Sequence, residues 1–172
     1  GNTAVYDLYR EIADERIKYY RTPFVLNLAK SFEFAFLHAR GRFITSIGAD
    51  DGIYPWAVES ISAVLLCMKD NNILHWDRSF YAWPGFSKEQ KNMLTFKMYD
   101  NTEPFKLEKY SLQDSFLDIM ENLKGCLYRL PACYINSGFK REYLQELLKN
   151  TGRLWDGICQ DLYISAANTM IN

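Results

Sequence analysis

Apolar residues recur at helical spacing in two segments near the start of the chain. The spacing predicts a helix over residues 3–15 and a second helix over residues 28–40, which Gly41 is placed to end. Between the two helices, residues 17–20 form a short segment that is rich in β-forming side chains. Pro23 follows and would interrupt regular secondary structure. We therefore predict a short strand at residues 17–20.

A β-branched segment over residues 42–48 predicts a further strand, which leads directly into Ala49-Asp50-Asp51-Gly52. Pro55 suits the first turn of the next helix, whose apolar residues keep helical spacing up to a polar turn at residues 70–72. Residues 73–82 are predicted to form another strand. This half of the chain therefore alternates between the two kinds of element.

The second half contains more helix. Residues 86–109 show no periodicity, which predicts a long loop or lid, and helices are predicted over residues 112–123 and 139–148, with a last helix beginning near Asp161. Because helices and strands alternate without a linker over all 172 residues, the chain is predicted to be a single α/β domain.

Composition narrows the class of protein. Apolar residues make up 48% of the chain and charged residues 24%, as in soluble globular proteins. The net charge is −1 and there is no basic stripe, which argues against a nucleic-acid partner. No apolar run is long enough to cross a bilayer, so membrane association is expected only through a longer parent chain. The four cysteines lack the spacing of a zinc site and indicate a reducing, cytoplasmic location.

Two adjacent carboxylates follow the strand predicted at residues 42–48. Asp50 and Asp51 would lie at the carboxyl end of that strand, where ligands of α/β sheets gather. Their mutual repulsion is tolerable when a cation lies between them, and Mg²⁺ or Mn²⁺ prefers such oxygen ligands. A solvated Asp-Asp-Gly turn is the alternative interpretation, because nothing in the pair itself demands a metal.

The wider pattern around this turn resembles a known family. Residues 31–61, SFEFAFLHARGRFITSIGADDGIYPWAVESI, are similar to inverting glycosyltransferases of the family 2 type, which adopt the GT-A fold. The matching features are Ala39-Arg40-Gly41 at a helix end, Asp50-Asp51 after a strand, and Pro55 at a helix start. Residues 130–134 (LPACY) and 160–163 (QDLY) resemble later signatures of the family.

The resemblance implies a fold and an activity. The fold would be a three-layer GT-A-like domain with a mostly parallel mixed sheet, lacking the opening strand-helix-strand of the family. Residues 1–85 would belong to the nucleotide-sugar and metal half, and residues 86–172 to the acceptor half. The activity would be metal-dependent transfer of a sugar from a nucleotide-sugar donor to a saccharide or other hydroxyl acceptor, with inversion.

The resemblance also assigns roles to residues. Ala49 stands where related sequences often carry a third acid, so Mn²⁺ or Mg²⁺ on the donor diphosphate would rest on Asp50 and Asp51. Asp161 would be the base that takes the proton from the acceptor hydroxyl. For Asp161 the alternative is an acid at a helix N-terminus that only complements the helix dipole.

Two functions of other classes stay open: a non-catalytic remnant that binds a carbohydrate or nucleotide sugar, and an assembly domain of a larger protein. If the opening strands are missing, unpaired strand edges would favour a homo-oligomer.

Other polar and aromatic groups have simpler expected roles. His38 is predicted to face solvent, and His75 is predicted to be structural. Trp83 and Trp155 lie in turn-like segments where a ring could stack on a sugar, but packing is the favoured interpretation. Lys140-Arg141 could touch phosphate, but a solvated helix face is favoured.

Overall fold

A computed structural model describes residues 3–68, 70–86, 89, 92–95, 107–122, 130–157 and 160–170, without the side chains of residues 122, 160 and 161. The helices in these ranges are α1 (Thr3–Ile12), α2 (Leu28–His38), α3 (Ala57–Cys67), α4 (Leu112–Asn122), α5 (Arg141–Thr151) and α6 (Gln160–Thr169). The strands are β1 (Phe43–Ile44), β2 (Ile73–His75), β3 (Phe80–Ala82), β4 (Met93–Thr95) and β5 (Ser137–Lys140).

Strand β5 is the centre of the three-stranded sheet. It lies between β1 and β2 and runs antiparallel to both, so β1 and β2 point in the same direction without pairing. Phe139 is level with Ile44 on one side and with Ile73 on the other, and it is fully buried. The register therefore forms an apolar row across the middle of the sheet.

Strand β5 was not predicted, because its sequence is short and contains Gly138. Glycine is depleted in strands, except where another group approaches the backbone closely. Here a Cβ on Gly138 would lie 2.3 Å from Cε1 of Phe43, so the missing side chain leaves room for that ring. The tertiary contact, rather than strand propensity, explains this strand.

The core packs α2, α5 and the segment around Trp155 against the sheet. Its buried residues are Ala29, Phe36, Ile44, Cys133, Phe139, Tyr143, Leu144, Leu147, Leu154, Trp155, Ile164 and Ala167. The Asn27 side chain accepts a hydrogen bond from the Lys30 amide and so begins α2. Gly152 ends α5 in the left-handed conformation with φ of 75°, as expected for a glycine at that position.

The predicted helices are confirmed more often than the predicted strands. α2, α3 and α4 lie where their periodicity indicates, whereas the helix predicted from residue 139 begins at Arg141. The prediction of a strand at residues 17–20 is wrong. Tyr19 packs its ring against Tyr6 and Tyr9 instead, at centroid distances of 5.3 and 5.7 Å. A β-rich segment forms a strand only where a partner strand is available, and here helix α1 offers aromatic contacts.

The strand predicted over residues 73–82 is two strands in two sheets. β2 pairs with β5, and β3 pairs with β4, which lies within the segment expected to be a loop or lid. Most of the remainder of that segment, including residues 96–106, lies outside the described residues.

The α/β class is confirmed, but the described residues do not form the kind of sheet that was expected. Each described strand pair is antiparallel, whereas a mostly parallel sheet was expected. The sheet also mixes the two halves of the chain, because β5 comes from residues 86–172 and its neighbours come from residues 1–85. The assignment of donor and acceptor roles to those halves stays a prediction.

Helix α1 leaves an apolar face uncovered in this structure. Val5, Leu8 and Ile12 are all more than half exposed, and the helix contains no buried residue. The expectation of a homo-oligomer stays a prediction, since nothing in the structure shows what covers this face. Among the described helices, none combines the length and apolar composition needed to cross a bilayer.

Truncation of a core leucine tests the packing of α5 against the sheet. Leu144 is 0% exposed, so Leu144→Ala should lower the free energy of unfolding by about 2–5 kcal/mol in denaturant titrations. Leu66→Ala is the matched control, since Leu66 also lies in a helix but is 82% exposed and should cost less than about 0.5 kcal/mol. Equal losses from the two changes would contradict the described core.

Candidate functional site: an acidic turn held by a tyrosine

The two acids lie in a tight turn a few residues beyond the end of β1. The amide of Asp51 donates to the carbonyl of Gly48 at 3.3 Å, and the amide of Gly48 donates back to Oδ2 of Asp51 at 2.9 Å. The second hydrogen bond fixes the Asp51 side chain against the backbone. Asp50 is exposed, while Asp51 is half-buried.

Residues 133–137 run beside this turn and are tied to it. Thr45 Oγ1 donates to the Ser137 carbonyl at 2.7 Å, and Ser46 Oγ donates to the Cys133 carbonyl at 2.5 Å. The Ile135 amide donates to the Ser46 carbonyl at 2.8 Å. These bonds extend the contact between β1 and β5 beyond the strands. They carry the segment that precedes β5 to the acidic turn.

Tyr134 joins the two segments through side chains. Its hydroxyl donates to Oδ2 of Asp51 at 2.6 Å, which is within the usual range for a hydrogen bond between two oxygens. The edge of its ring meets Phe32 at a centroid distance of 5.8 Å, and Phe32 contacts Trp155 at 5.9 Å. Trp155 is buried, which confirms packing as its role and leaves no face for a sugar.

The backbone on both sides of Tyr134 is in an unusual conformation. Cys133 has φ of 53° and Ile135 has φ of 33°, a region that a β-branched residue rarely enters. Such conformations cost on the order of 1–3 kcal/mol each and persist only where the surroundings impose them. Here both residues are hydrogen-bonded to Ser46, Cys133 through its carbonyl and Ile135 through its amide. The result is that the tyrosine side chain is turned toward Asp51.

Gly48 makes room for the three oxygens around the turn. A Cβ at this position would lie 2.6 Å from the Tyr134 hydroxyl, 2.7 Å from Asp51 Oδ2 and 2.8 Å from Asp50 Oδ1. All three oxygens therefore lie within 3 Å of one point in space. Only a residue without a side chain allows them to converge there.

The two carboxylates fit one mode of binding a divalent cation. Within the described residues, no group of three or more histidine, cysteine or acidic side chains could hold a metal. Mg²⁺ and Mn²⁺ do not need such a cage, because one or two carboxylates and the phosphates of a substrate suffice. Asp50 and Asp51 match this mode, in which the substrate completes the coordination.

Residue Asn136 links the same segment to β2. Its side-chain amide donates to Nε2 of His75 at 2.9 Å, so the other ring nitrogen carries the proton in the neutral ring. That nitrogen, Nδ1, lies 2.9 Å from the Tyr110 hydroxyl. The indole of Trp76 donates to the Ile135 carbonyl at 3.1 Å. These contacts agree with the structural role expected for His75.

Two other expectations need correction. His38 does not simply face solvent, because its Nδ1 lies 2.8 Å from the Phe34 carbonyl and its ring contacts those of Phe34 and Tyr20. Arg141 is not on a solvated helix face. Its guanidinium binds the carbonyls of Ala39 and, at 3.0 Å, Gly41, where it satisfies acceptors just beyond α2.

For Asp161, which was predicted to be the base, the structure describes only the backbone. It lies in the first turn of α6, and its side chain is outside the described part of the chain. The first-turn position fits both the catalytic interpretation and the helix-dipole interpretation.

A groove of about 860 Å³ lies away from the acidic turn, between residues 16–22 and 31–41. Its basic and aromatic lining comprises Arg16, Lys18, Tyr19, Tyr20, Arg21, Phe34, His38 and Arg40. Because it includes neither Asp50 nor Asp51, it does not change the assignment of the candidate site.

A pair of glycine substitutions tests the crowding at the turn. Gly48→Ala should lower the free energy of unfolding by about 1–3 kcal/mol, because the new methyl group must displace the three converging oxygens. Gly52→Ala is the matched control, since a Cβ there meets nothing within 4 Å, and it should stay within about 1 kcal/mol of the wild type. Denaturant titrations measure both, and an equal effect would show that the oxygens do not converge at Gly48.

Comparison with known proteins gives one match. The model of the family described as glycosyl transferase family 2 matches residues 3–148, a range that contains the acidic turn and Tyr134 and ends before Asp161. No significant match was found among curated proteins or among solved structures. The family implies a GT-A-like α/β fold and transfer of a sugar from a nucleotide sugar to an acceptor. Because the match covers most of the chain, this protein belongs to glycosyl transferase family 2.

Proposed function

We propose that the chain transfers a sugar from a nucleotide-sugar donor to an acceptor hydroxyl with inversion, using Mn²⁺ or Mg²⁺ held by Asp50 and Asp51. One observation carries the proposal: within the family match, two adjacent carboxylates lie at a single turn, where Gly48 leaves room for them. The proposal includes a cytoplasmic location and a GT-A-like, three-layer arrangement for the complete fold.

On the donor side, the two acids have different surroundings. Asp50 is exposed and available to a ligand, while Oδ2 of Asp51 already accepts two hydrogen bonds, which leaves Oδ1 of Asp51 for a cation. A divalent cation supplies charge neutralisation for the departing nucleoside diphosphate. The role of the chain is to hold both carboxylates in place.

On the acceptor side, we assign the proton acceptor to Asp161. A carboxylate there would take the proton of the attacking hydroxyl as the new glycosidic bond forms. The support is the similarity of residues 160–163 to a family signature and the position of Asp161 in the first turn of α6. Burial of the adjacent α6 residues Ile164 and Ser165 anchors this helix in the fold.

Binding of metal and nucleotide should be visible as thermal stabilisation. At a hundredfold excess over Kd, Mn²⁺ with a nucleoside diphosphate should add about 2.7 kcal/mol of stability. For a chain of this size, that raises the melting temperature by roughly 5–10 °C. The double change Asp50→Asn with Asp51→Asn should abolish this rise in melting temperature. The measurement is repeated with uridine diphosphate, guanosine diphosphate and other nucleoside diphosphates in turn.

The control for this change removes two acids elsewhere. Asp114→Asn with Asp118→Asn takes the same charge from α4 and should leave the rise intact. If the Asp50 and Asp51 double variant keeps the full rise, the cation does not bind at the acidic turn.

The assignment of the base predicts a selective loss of transfer. Asp161→Asn should slow transfer to the acceptor by a factor on the order of 10² to 10⁴, the usual span for a general base. Donor binding should hardly change, because the group acts on the acceptor. The measurement is the turnover rate with a nucleotide-sugar donor, alongside calorimetric donor affinity.

A matched variant separates the base from a helix-terminal acid. Asp114 lies in the first turn of α4, as Asp161 does in α6, so Asp114→Asn removes an equivalent interaction with a helix dipole. It should leave turnover within a few-fold of wild type. If Asp161→Asn keeps full turnover, Asp161 is not the base and only complements the helix dipole. Donor binding without turnover in the wild type would instead favour a non-catalytic remnant.

A further inference from the structure

We propose that Tyr134 is a positioning residue, which fixes the carboxylate of Asp51 so that its free oxygen faces the cation. This inference rests on the proposed function, because it concerns the same cation site. It adds a residue from late in the chain to a site that otherwise consists of the acidic turn alone. The hydroxyl of Tyr134 acts through Asp51 and is not assigned any contact with the donor.

The hydrogen bonds of Asp51 distinguish its two oxygens. Oδ2 accepts from the Tyr134 hydroxyl at 2.6 Å and from the Gly48 amide at 2.9 Å. Two donors on one oxygen define the plane and the direction of the carboxylate. Metal-binding carboxylates are commonly oriented by such hydrogen bonds, and removal of one typically costs 10- to 100-fold in metal affinity or activity.

The surroundings of Tyr134 hold its hydroxyl in this position. Phe32 contacts the edge of the ring, and both flanking residues, Cys133 and Ile135, have positive φ. Gly48 provides the space that the hydroxyl needs. Unfavourable backbone conformations at two neighbouring residues indicate a constraint that local folding preferences alone would not produce. That constraint aims Tyr134 at Asp51.

The test removes only the hydroxyl. Tyr134→Phe keeps the ring and its contact with Phe32, so the melting temperature without metal should stay within a few degrees of wild type. Titration of Mn²⁺ alone, followed by the electron paramagnetic resonance signal of the free ion, should show a 10- to 100-fold weaker Kd. In transfer assays, the Mn²⁺ concentration for half-maximal rate should rise by the same factor, while kcat at saturating Mn²⁺ changes little.

Tyr81→Phe is the matched control, since it removes a hydroxyl that donates to Asn92 at 3.1 Å in the other sheet. It should leave the affinity for Mn²⁺ unchanged. If the wild type binds Mn²⁺ and Tyr134→Phe binds it equally or more tightly, the positioning role is wrong while the cation site stands. If the wild type binds Mn²⁺ only together with a nucleoside diphosphate, Tyr134→Phe and Tyr81→Phe are compared with that ligand present. If the wild type binds Mn²⁺ neither alone nor with a nucleoside diphosphate, the cation site fails, and the role of Tyr134 fails with it.

Discussion

The antiparallel insertion of β5 between β1 and β2 is the constraint on which the described site depends. Tyr134 and Asp51 are 83 positions apart in sequence, and their contact exists because β5 lies beside β1. The hydrogen bonds from Thr45 and Ser46 to residues 133–137 continue that pairing past the ends of the strands. The residues of the acidic turn are neighbours in sequence, but the geometry of the turn depends on a contact with Tyr134, which lies much later in the chain.

The sequence predicts those elements whose formation depends on the spacing of apolar residues within one segment. The apolar stripes of α2 and α3 predict helices because each buries one face. The acidic pair was also recognisable, since the strand before it and the helix after it lie in one continuous segment, although that helix begins at Ala57 and not in the turn that contains Pro55. The family resemblance came from this same segment.

Elements and contacts that depend on a residue far away in the sequence could not be predicted from the local pattern. Residues 17–20 have strand-forming side chains but no strand partner in the described chain, and instead Tyr19 packs on α1 while Tyr20 contacts His38 of α2. Strand β5 has the opposite character, since Gly138 disfavours a strand until Phe43 occupies the space beside it. Tyr134 lies in a segment that resembles a family signature, but its contact with Asp51 was not predicted, because nothing within that segment indicates a carboxylate 83 positions away.

The same contacts explain how the folded chain accommodates two adjacent acids. Asp50 is exposed, so water screens its charge, whereas Asp51 is half-buried and loses part of that screening. The amide of Gly48 and the hydroxyl of Tyr134 replace the lost water with two donors on a single oxygen. The turn is thus stabilised by the protein itself, and its geometry is set independently of the cation and donor diphosphate that we propose to bind there. For the proposed cation site, carboxylates fixed in this way would not have to be ordered during binding, which would favour affinity.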